Sequence, residues 1–176
     1  MVSDNKEMRQ IRPLYTPDER LRRDATRWTL VQGLLAPIQF FVFLVSVVLV
    51  LRYLQIGEGE TEATISIVIK TILLYTIMIT GCIWEKVVFG RYLFAHSFFW
   101  EDVFSMLVLA LHTAYLFALF SGSLSVKEQM LLALAAYATY IINAIQFLLK
   151  LRAARLQSQS QGESENQSVK PQGVIA

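Results

Sequence analysis

Cysteine is nearly absent from this chain: Cys82 is the only one in 176 residues. The sequence therefore excludes an internal disulfide and a metal cluster held by several thiolates, and Cys82 is best interpreted as a small packing residue. A strong charge of either sign is lacking too. The net charge is only +2, so the positions of the charges carry more information than their sum, and no nucleic-acid partner is expected.

Apolar residues are abundant, at 55% of the chain, and they are bunched into four long runs. Because a helix rises about 1.5 Å per residue, about 20 apolar residues cross the ~30 Å hydrocarbon core of a bilayer. A soluble fold would interrupt such runs with loops. We therefore predict an all-α, polytopic membrane protein that crosses a lipid bilayer with four transmembrane helices. The predicted spans lie at about 28–54, 63–84, 99–120 and 130–149.

The remaining segments set the domain organisation. We predict a flexible N-terminal tail at 1–15, a four-helix transmembrane domain at 16–156 and a disordered C-terminal tail at 157–176. The C-terminal tail is rich in Gln, Ser, Glu and Asn, so it cannot bury an apolar core. No cleavable signal peptide is expected, since the first apolar run is too long for a signal core.

A helix is predicted to begin ahead of the first span, at the sequence TPDE. Thr16 can cap this helix, and Glu19 completes a capping box. The helix is expected to continue without a break into the first span. Pro37 removes one backbone donor from that span and is expected to kink it near Gly33.

Basic residues predict the orientation of the spans in the membrane. They cluster before the first span, between the second and third spans, and after the fourth, whereas the loop after the first span is acidic. Since Lys and Arg favour the cytoplasmic side, we expect both termini and the middle loop to be cytoplasmic. The basic residues at these three places are Arg20, Arg22, Arg23, Arg27, Lys86, Arg91, Lys150, Arg152 and Arg155.

Polar side chains recur on one face of the first span. Gln32, Gln39, Ser46 and Tyr53 are spaced by seven residues, which places them within about 20° per step on one side of a helix. Amides that face lipid would lack hydrogen-bond partners, so this face should point into the bundle. Hydrogen bonding between helices is the favoured interpretation, and a pocket lining is the alternative. In the second span, Lys70 is expected to snorkel toward the outer end.

The third span carries a histidine at the depth of the bilayer centre. Glu101 lies at the cytoplasmic mouth and His112 about 16 Å deeper, on the same face of the helix. A histidine at that depth bonds a neighbouring carbonyl, carries protons or provides an axial ligand to a metallated macrocycle. The sequence leaves these three interpretations open.

The hairpin between the second and third spans, WEKVVFGRYLFAHSFFWED at 84–102, is dense in carboxylates and aromatic rings. Glu85 stands at one end, and Glu101 and Asp102 stand at the other. Carboxylates from both ends can converge near the headgroup level, where partial loss of water keeps a proton available for general acid catalysis. The alternative is that Lys86 and these carboxylates are solvated end residues that pair with one another.

Five runs in the chain closely resemble the bacterial 3-vinyl (2-vinyl) bacteriochlorophyllide hydratases. They are WTLVQGLLAPIQF, SIVIKTILLYTIMITG, IWEKVVFG, FFWEDVFSM and ALHTAYL, and the likeness extends from about Tyr15 to Leu156. The resemblance implies an integral-membrane hydro-lyase of bacteriochlorophyll biosynthesis, and hence of photosynthesis. It would add water across the C3 vinyl group of a chlorophyllide-type pigment, giving a 1-hydroxyethyl group.

The resemblance also implies a setting for this enzyme. It would be a multi-pass protein of the bacterial inner membrane, in its photosynthetic, intracytoplasmic part. No cofactor of its own is expected, because the magnesium arrives with the tetrapyrrole substrate. Other enzymes of pigment synthesis are conceivable partners.

Residues with suitable chemistry can be matched to this reaction by position and type. Glu101 is our preferred proton donor, with Asp102 or Glu85 orienting water, and His112 would hold the macrocycle as an axial ligand to the substrate's magnesium. The remaining candidates are substrate-binding: cations for the pigment propionate, and amides and a ring that line a flat slot. They are Lys86, Arg91, Gln32, Gln39 and Trp100.

Two rival functions use the same residues. A non-catalytic pigment-binding or assembly subunit would hold the pigment at His112 without changing it. A small transporter would use Lys70, Glu85, Glu101 and His112 as a proton path, although the chain has no clear repeated halves or broken helices.

Overall fold

The computed structural model describes residues 14–168, with side chains described as far as residue 156 and at residue 159. This part of the chain is helical and contains no strand, which confirms the predicted all-α class. Four of its five helices are long and apolar enough to cross a membrane. The helices are α1 (Pro17–Ala25), α2 (Arg27–Ile56), α3 (Glu60–Phe89), α4 (Phe99–Ser121) and α5 (Val126–Ser168).

Helix α1 begins at the predicted cap. The Thr16 hydroxyl accepts a hydrogen bond from the Glu19 N–H at 3.3 Å, and the Glu19 carboxylate accepts one from the Thr16 N–H at 2.8 Å. The prediction that this helix continues into the first span is wrong. Thr26 adopts an extended backbone that ends α1, and its hydroxyl caps the Trp28 N–H to begin α2.

Each long helix extends past the apolar run that predicted it. Helix α2 continues through Pro37 to Ile56, where Gly57 ends it with φ +81°, a conformation that side-chain-bearing residues rarely adopt. Helix α5 extends to Ser168, and the Arg, Ala, Leu and Gln residues at 151–157, which are good helix formers, continue it past the apolar run. The predicted kink near Gly33 stays a prediction. Residues 1–13 and 169–176, which fall in the two predicted tails, lie outside the described residues.

The four long helices form two helical hairpins, α2 with α3 and α4 with α5, which meet through α2–α5 and α3–α4 contacts. Large apolar side chains cover the outside of the bundle, including Leu34, Phe41, Val48 and Phe117. An exposed apolar surface of this extent suits lipid rather than water. The bilayer is thus the natural surroundings of this fold.

Ser46 joins three of the long helices at the centre of the bundle. Its hydroxyl is fully buried and hydrogen-bonds both Ser66 on α3 and Tyr137 on α5. This contact supports the interpretation that the polar face of the first span mediates hydrogen bonding between helices.

Ser46→Ala is expected to destabilise the bundle by about 0.5–1.5 kcal/mol, because it leaves two buried hydroxyls short of a partner. In a chain of this size, each kcal/mol of lost stability lowers the melting temperature by about 2–4 °C. Thermal unfolding in detergent measures it. Ser123→Ala, at an exposed serine in the α4–α5 loop, is the matched control and should not shift the transition. Equal shifts in the two variants would show that the buried contact contributes no stability.

Candidate active site

The loop between α3 and α4 holds two carboxyl groups through its backbone. Gly90 ends α3 with φ +80°, and the chain then turns so that two successive amides point at the start of α4 and the end of α3. The Phe94 N–H donates to the Asp102 carboxyl at 2.7 Å, and the Ala95 N–H donates to the Glu85 carboxyl at 3.4 Å. Both carboxyls are buried by this arrangement.

The Glu85 and Asp102 carboxyls also lie close enough to interact with each other, and we refer to them as the acidic pair. A carboxylate can only accept, so a hydrogen bond between two carboxyl groups requires a proton on one of them. The predicted convergence of acids from the two ends of the hairpin therefore takes a specific form. It is a buried pair of carboxyls that is able to share a proton, with each member oriented by one backbone amide.

Glu101 lies beside the acidic pair but has a different partner. Its carboxylate is 2.7 Å from the Lys150 ammonium, which connects α4 to α5. The ammonium also lies 5.0 Å from the centre of the Phe98 ring. Glu101 therefore pairs with a cation, whereas the two members of the acidic pair are bonded by backbone amides.

Aromatic side chains surround this end of the bundle. Phe98 is at the centre of the cluster, and neighbouring ring centres lie 5.7–6.3 Å from it, at offset or edge-on angles. The rings around it are those of Tyr15, Trp84, Phe89 and Phe147. Burial in this cluster raises the pKa of the Tyr15 phenol, although the Arg23 guanidinium, 4.8 Å from the ring centre, opposes the shift. This aromatic cluster therefore flanks the acidic pair, since Trp84 precedes Glu85 and the Phe98 carbonyl accepts a hydrogen bond from the Asp102 N–H.

A cavity of about 540 Å³ opens on the far side of the hairpin loop, and we refer to it as the loop cavity. Ala95 forms part of its wall, and the same residue's amide reaches Glu85 behind that wall. The lining combines polar and apolar surface and carries Arg91 and His96. The full lining is Leu14, Thr16, Glu19, Phe89, Arg91, Ala95, His96 and Ser97.

Lys70 lies inside the bundle, so the prediction that it snorkels outward is wrong. Its side chain is fully buried, and its ammonium sits 3.6 Å above the Tyr140 ring and 6.0 Å from the Phe43 ring. The attraction of a cation to the face of an aromatic ring holds the stem inward. Its ammonium has no hydrogen-bond partner within the described residues.

His112 is equally buried and lies beside Tyr137, with the two ring centres 5.9 Å apart. Its Nδ1 is 2.8 Å from the Val108 carbonyl oxygen. Because a carbonyl can only accept, Nδ1 carries the hydrogen and Nε2 presents a lone pair. This agrees with the interpretation that His112 bonds a neighbouring carbonyl, and it leaves Nε2, which has no partner in the described part of the chain, available as a ligand.

Unsatisfied buried polar atoms come from all four long helices. We refer to the region between the two helical hairpins where these atoms lie as the seam. Buried polar atoms normally have partners, so a group of unsatisfied atoms is a sign of a site rather than of packing alone. In the described residues these atoms include Gln39 Nε2, Lys70 Nζ, His112 Nε2, Asn143 Oδ1 and Gln146 Oε1.

The remaining predicted substrate-binding residues are placed as follows. Gln32 donates to the Thr80 hydroxyl at 2.7 Å, which ties α2 to α3. Lys86 donates to the Gly90 carbonyl at 2.9 Å and so caps the end of α3. Trp100 is 66% exposed on the outside of the bundle.

Sequence reasoning missed two features of this site. Lys150 could have been paired with Glu101, because the predicted topology places both at the same end of the bundle. The hydrogen bonds from the Phe94 and Ala95 amides to the two carboxyls could not be read from the sequence, since backbone hydrogen bonds depend on the loop conformation and not on side-chain type.

Comparison with known proteins gives one consistent result. A family model described as 2-vinyl bacteriochlorophyllide hydratase matches residues 15–153. A 2-vinyl bacteriochlorophyllide hydratase of Rhodobacter capsulatus is 70% identical over 148 residues, which cover 84% of this chain and 86% of that protein. One of Cereibacter sphaeroides is 70% identical over 145 residues, covering 82% of this chain and 90% of the relative. No solved structure matches the chain.

Proposed function

The chain belongs to the 2-vinyl bacteriochlorophyllide hydratase family, and from that premise we propose which of its residues carry the reaction. The protein is a hydro-lyase of bacteriochlorophyll biosynthesis. It adds water across a vinyl group of a tetrapyrrole, position 2 in the relatives' names and position 3 in the nomenclature used above. The product is a 1-hydroxyethyl group.

The reaction needs a proton donor, a water molecule and stabilisation of a cation. The terminal carbon of the vinyl group takes a proton, and the positive charge forms on the inner carbon, where the ring π-system delocalises it. Water then adds to that inner carbon and returns one proton to the donor. The cycle therefore consumes one water molecule and leaves the donor as it began.

The acidic pair is the proton donor in this proposal, and the observation that carries it is the burial of two adjoining carboxyls that are each bonded by a backbone amide. The pair holds one proton at rest. After transfer, its carboxylates lie beside the developing cation, stabilise it electrostatically and recover the proton from the adding water. The amides of Phe94 and Ala95 hold both acids in place by hydrogen bonds.

Glu101 was the donor preferred from the sequence, and its contacts favour a different role. An ionised carboxylate paired with Lys150 has no proton to give. We assign it to positioning, because the ion pair ties the start of α4 to α5 and so fixes Asp102, the next residue along the helix.

The two sides of the acidic pair suit the two reactants. The loop cavity carries Arg91, His96 and Ser97 in its lining, so we assign it as the route for water. The seam has aromatic groups and unpartnered buried polar atoms, so we place the macrocycle there. His112 Nε2 is the proposed axial ligand for the substrate's magnesium, and Gln39 lines the same slot. Trp100, on the outer surface, would meet a pigment arriving from the bilayer.

The direct test of the activity uses membranes that contain the protein, incubated with chlorophyllide a and no nucleotide. The expected product is heavier by one water, and its red absorption band lies at shorter wavelength because conjugation with the vinyl group is lost. Pigment recovered unchanged but bound would instead support a non-catalytic binding subunit.

Glu101→Gln is expected to lower turnover, but by a smaller factor than either substitution in the acidic pair. It keeps the shape of the side chain and removes only the charge that holds Lys150. Initial rates in folded, membrane-inserted protein measure this. A loss greater than that of Glu85→Gln would return the donor role to Glu101.

We also propose that both termini and the α3–α4 loop face the cytoplasm of a photosynthetic bacterial membrane. The basic residues around these segments support this orientation. A cysteine introduced at exposed His96, in a Cys82→Ser background, should be labelled only by a reagent that reaches the cytoplasmic side. Labelling from the outer side would reverse the orientation.

A further inference from the structure

We propose that Lys70 binds the propionate carboxylate of the tetrapyrrole inside the bundle, and so selects free-acid pigments over esterified ones. This inference rests on the proposed placement of the macrocycle in the seam. It assigns a binding role to a residue that the reaction itself does not need.

The first support is the isolation of the Lys70 ammonium. The residue is fully buried at the depth of the membrane, and its ammonium has no hydrogen-bond partner in the described chain. The surrounding groups that contact it are the rings of Tyr140 and Phe43, which attract a cation but do not neutralise it. Ionisable residues inside membranes are costly and mark substrate or ion sites, so an anion is the expected partner.

The acidic residues described in the protein do not supply that anion. Glu60 and Glu62 begin α3, and Lys70 follows Glu60 by ten residues, which is about 15 Å of helix. Glu85 is fifteen residues farther along α3, about 22 Å away. Glu101 has Lys150 as its partner at the loop end of the bundle.

The spacing of the seam fits a substrate that is bound at both ends. Tyr140, under the Lys70 ammonium, precedes Lys150 by ten residues, or about 15 Å along α5. Lys150 is paired with Glu101, and Glu101 lies beside the acidic pair, so Lys150 and the acidic pair lie at the same end of the bundle. Vinyl and propionate groups lie on the periphery of different pyrrole rings, so one pigment can reach both sites across its width.

A second donor is available beside the proposed carboxylate site. The Nε2 of Gln39 is buried and has no partner within the described residues, and Gln39 lies one turn before Phe43 on α2. We therefore place Gln39 as a second donor to the same carboxylate. The cations predicted from the sequence are less suitable, because Lys86 caps α3 and Arg91 lines the loop cavity.

The test compares chlorophyllide a with its methyl ester, which carries a neutral methyl ester in place of the propionate carboxylate and is otherwise identical. The wild-type protein should show a KM for the free acid that is about 10- to 100-fold lower, the range expected for a hydrogen bond to a charged group. Lys70→Met should raise the KM for the free acid to that of the ester. Lys127→Met, at an exposed lysine at the start of α5, is the control and should keep the full discrimination.

Three results would overturn the proposal. They are equal KM values for the two pigments in the wild type, a Lys70→Met variant that still discriminates, and loss of discrimination in Arg91→Met. If Lys70→Met does not fold, solid-state NMR between a ¹³C-labelled propionate and ¹⁵N-labelled lysines decides instead: a contact that persists in Lys86→Met and in Lys150→Met assigns it to Lys70, and its absence, or its loss in either variant, overturns the proposal. A negative result would not contradict the role of the acidic pair, since substitutions in that pair are tested by turnover and not by the KM ratio of the two pigments.

Discussion

Glu85→Gln and Asp102→Asn are each expected to lower turnover by about 10²- to 10⁴-fold, the usual contribution of a general acid. Each substitution keeps the size of the side chain and removes the shared proton or the group that holds it. Because both residues act on the same proton, the double variant should be little slower than either single variant.

The controls for this prediction are pigment binding and a remote acid. Bound pigment should be retained in both variants, since the macrocycle is held elsewhere in the seam. Glu62→Gln, at an exposed residue at the start of α3, should leave turnover unchanged. Single variants that retain near-normal turnover, or effects that multiply in the double variant, would contradict a shared proton.

His112→Ala is expected to weaken pigment binding by about 10- to 100-fold, which corresponds to about 1.4–2.7 kcal/mol. The reason is the lone pair of Nε2, which is buried and oriented by the bond from Nδ1 to the Val108 carbonyl. The effect should be confined to pigment that carries magnesium. Metal-free pigment should bind the variant and the wild type with the same dissociation constant, because it has no site for an axial ligand.

His96→Ala is the matched control, since His96 is the other of the two histidines and lies at the surface. Absorbance titration of purified His112→Ala and His96→Ala proteins, each with magnesium-containing and with metal-free pigment, measures the four dissociation constants. Equal weakening for magnesium-containing and metal-free pigment would assign His112 to packing. An unchanged dissociation constant in His112→Ala would remove the ligand role altogether.

The spans were predictable because membrane insertion depends on length and composition, which the sequence states directly. The convergence of Glu85 with Asp102 was predictable for a similar reason, since a short hairpin must bring its ends together. The helix break at Thr26 was not predictable, because capping by the Thr26 hydroxyl competes at that residue with continuation of the helix.

The partners of the polar residues could not be predicted without the tertiary structure. Glu101 and Asp102 are neighbours in sequence, yet one pairs with Lys150 and the other with Glu85. Likewise, nothing in the periodicity of α3 tells whether Lys70 extends toward the interface or inward. Its direction depends on the ring of Tyr140, which lies 70 residues away in the chain.

The proton on the acidic pair can be observed directly by infrared spectroscopy of the resting protein at neutral pH. We predict a carbonyl band from a protonated carboxyl group that is altered or lost in Glu85→Gln and in Asp102→Asn and is unchanged in Glu101→Gln. Absence of such a band from the wild type, or a band that only Glu101→Gln removes, would contradict the mechanism.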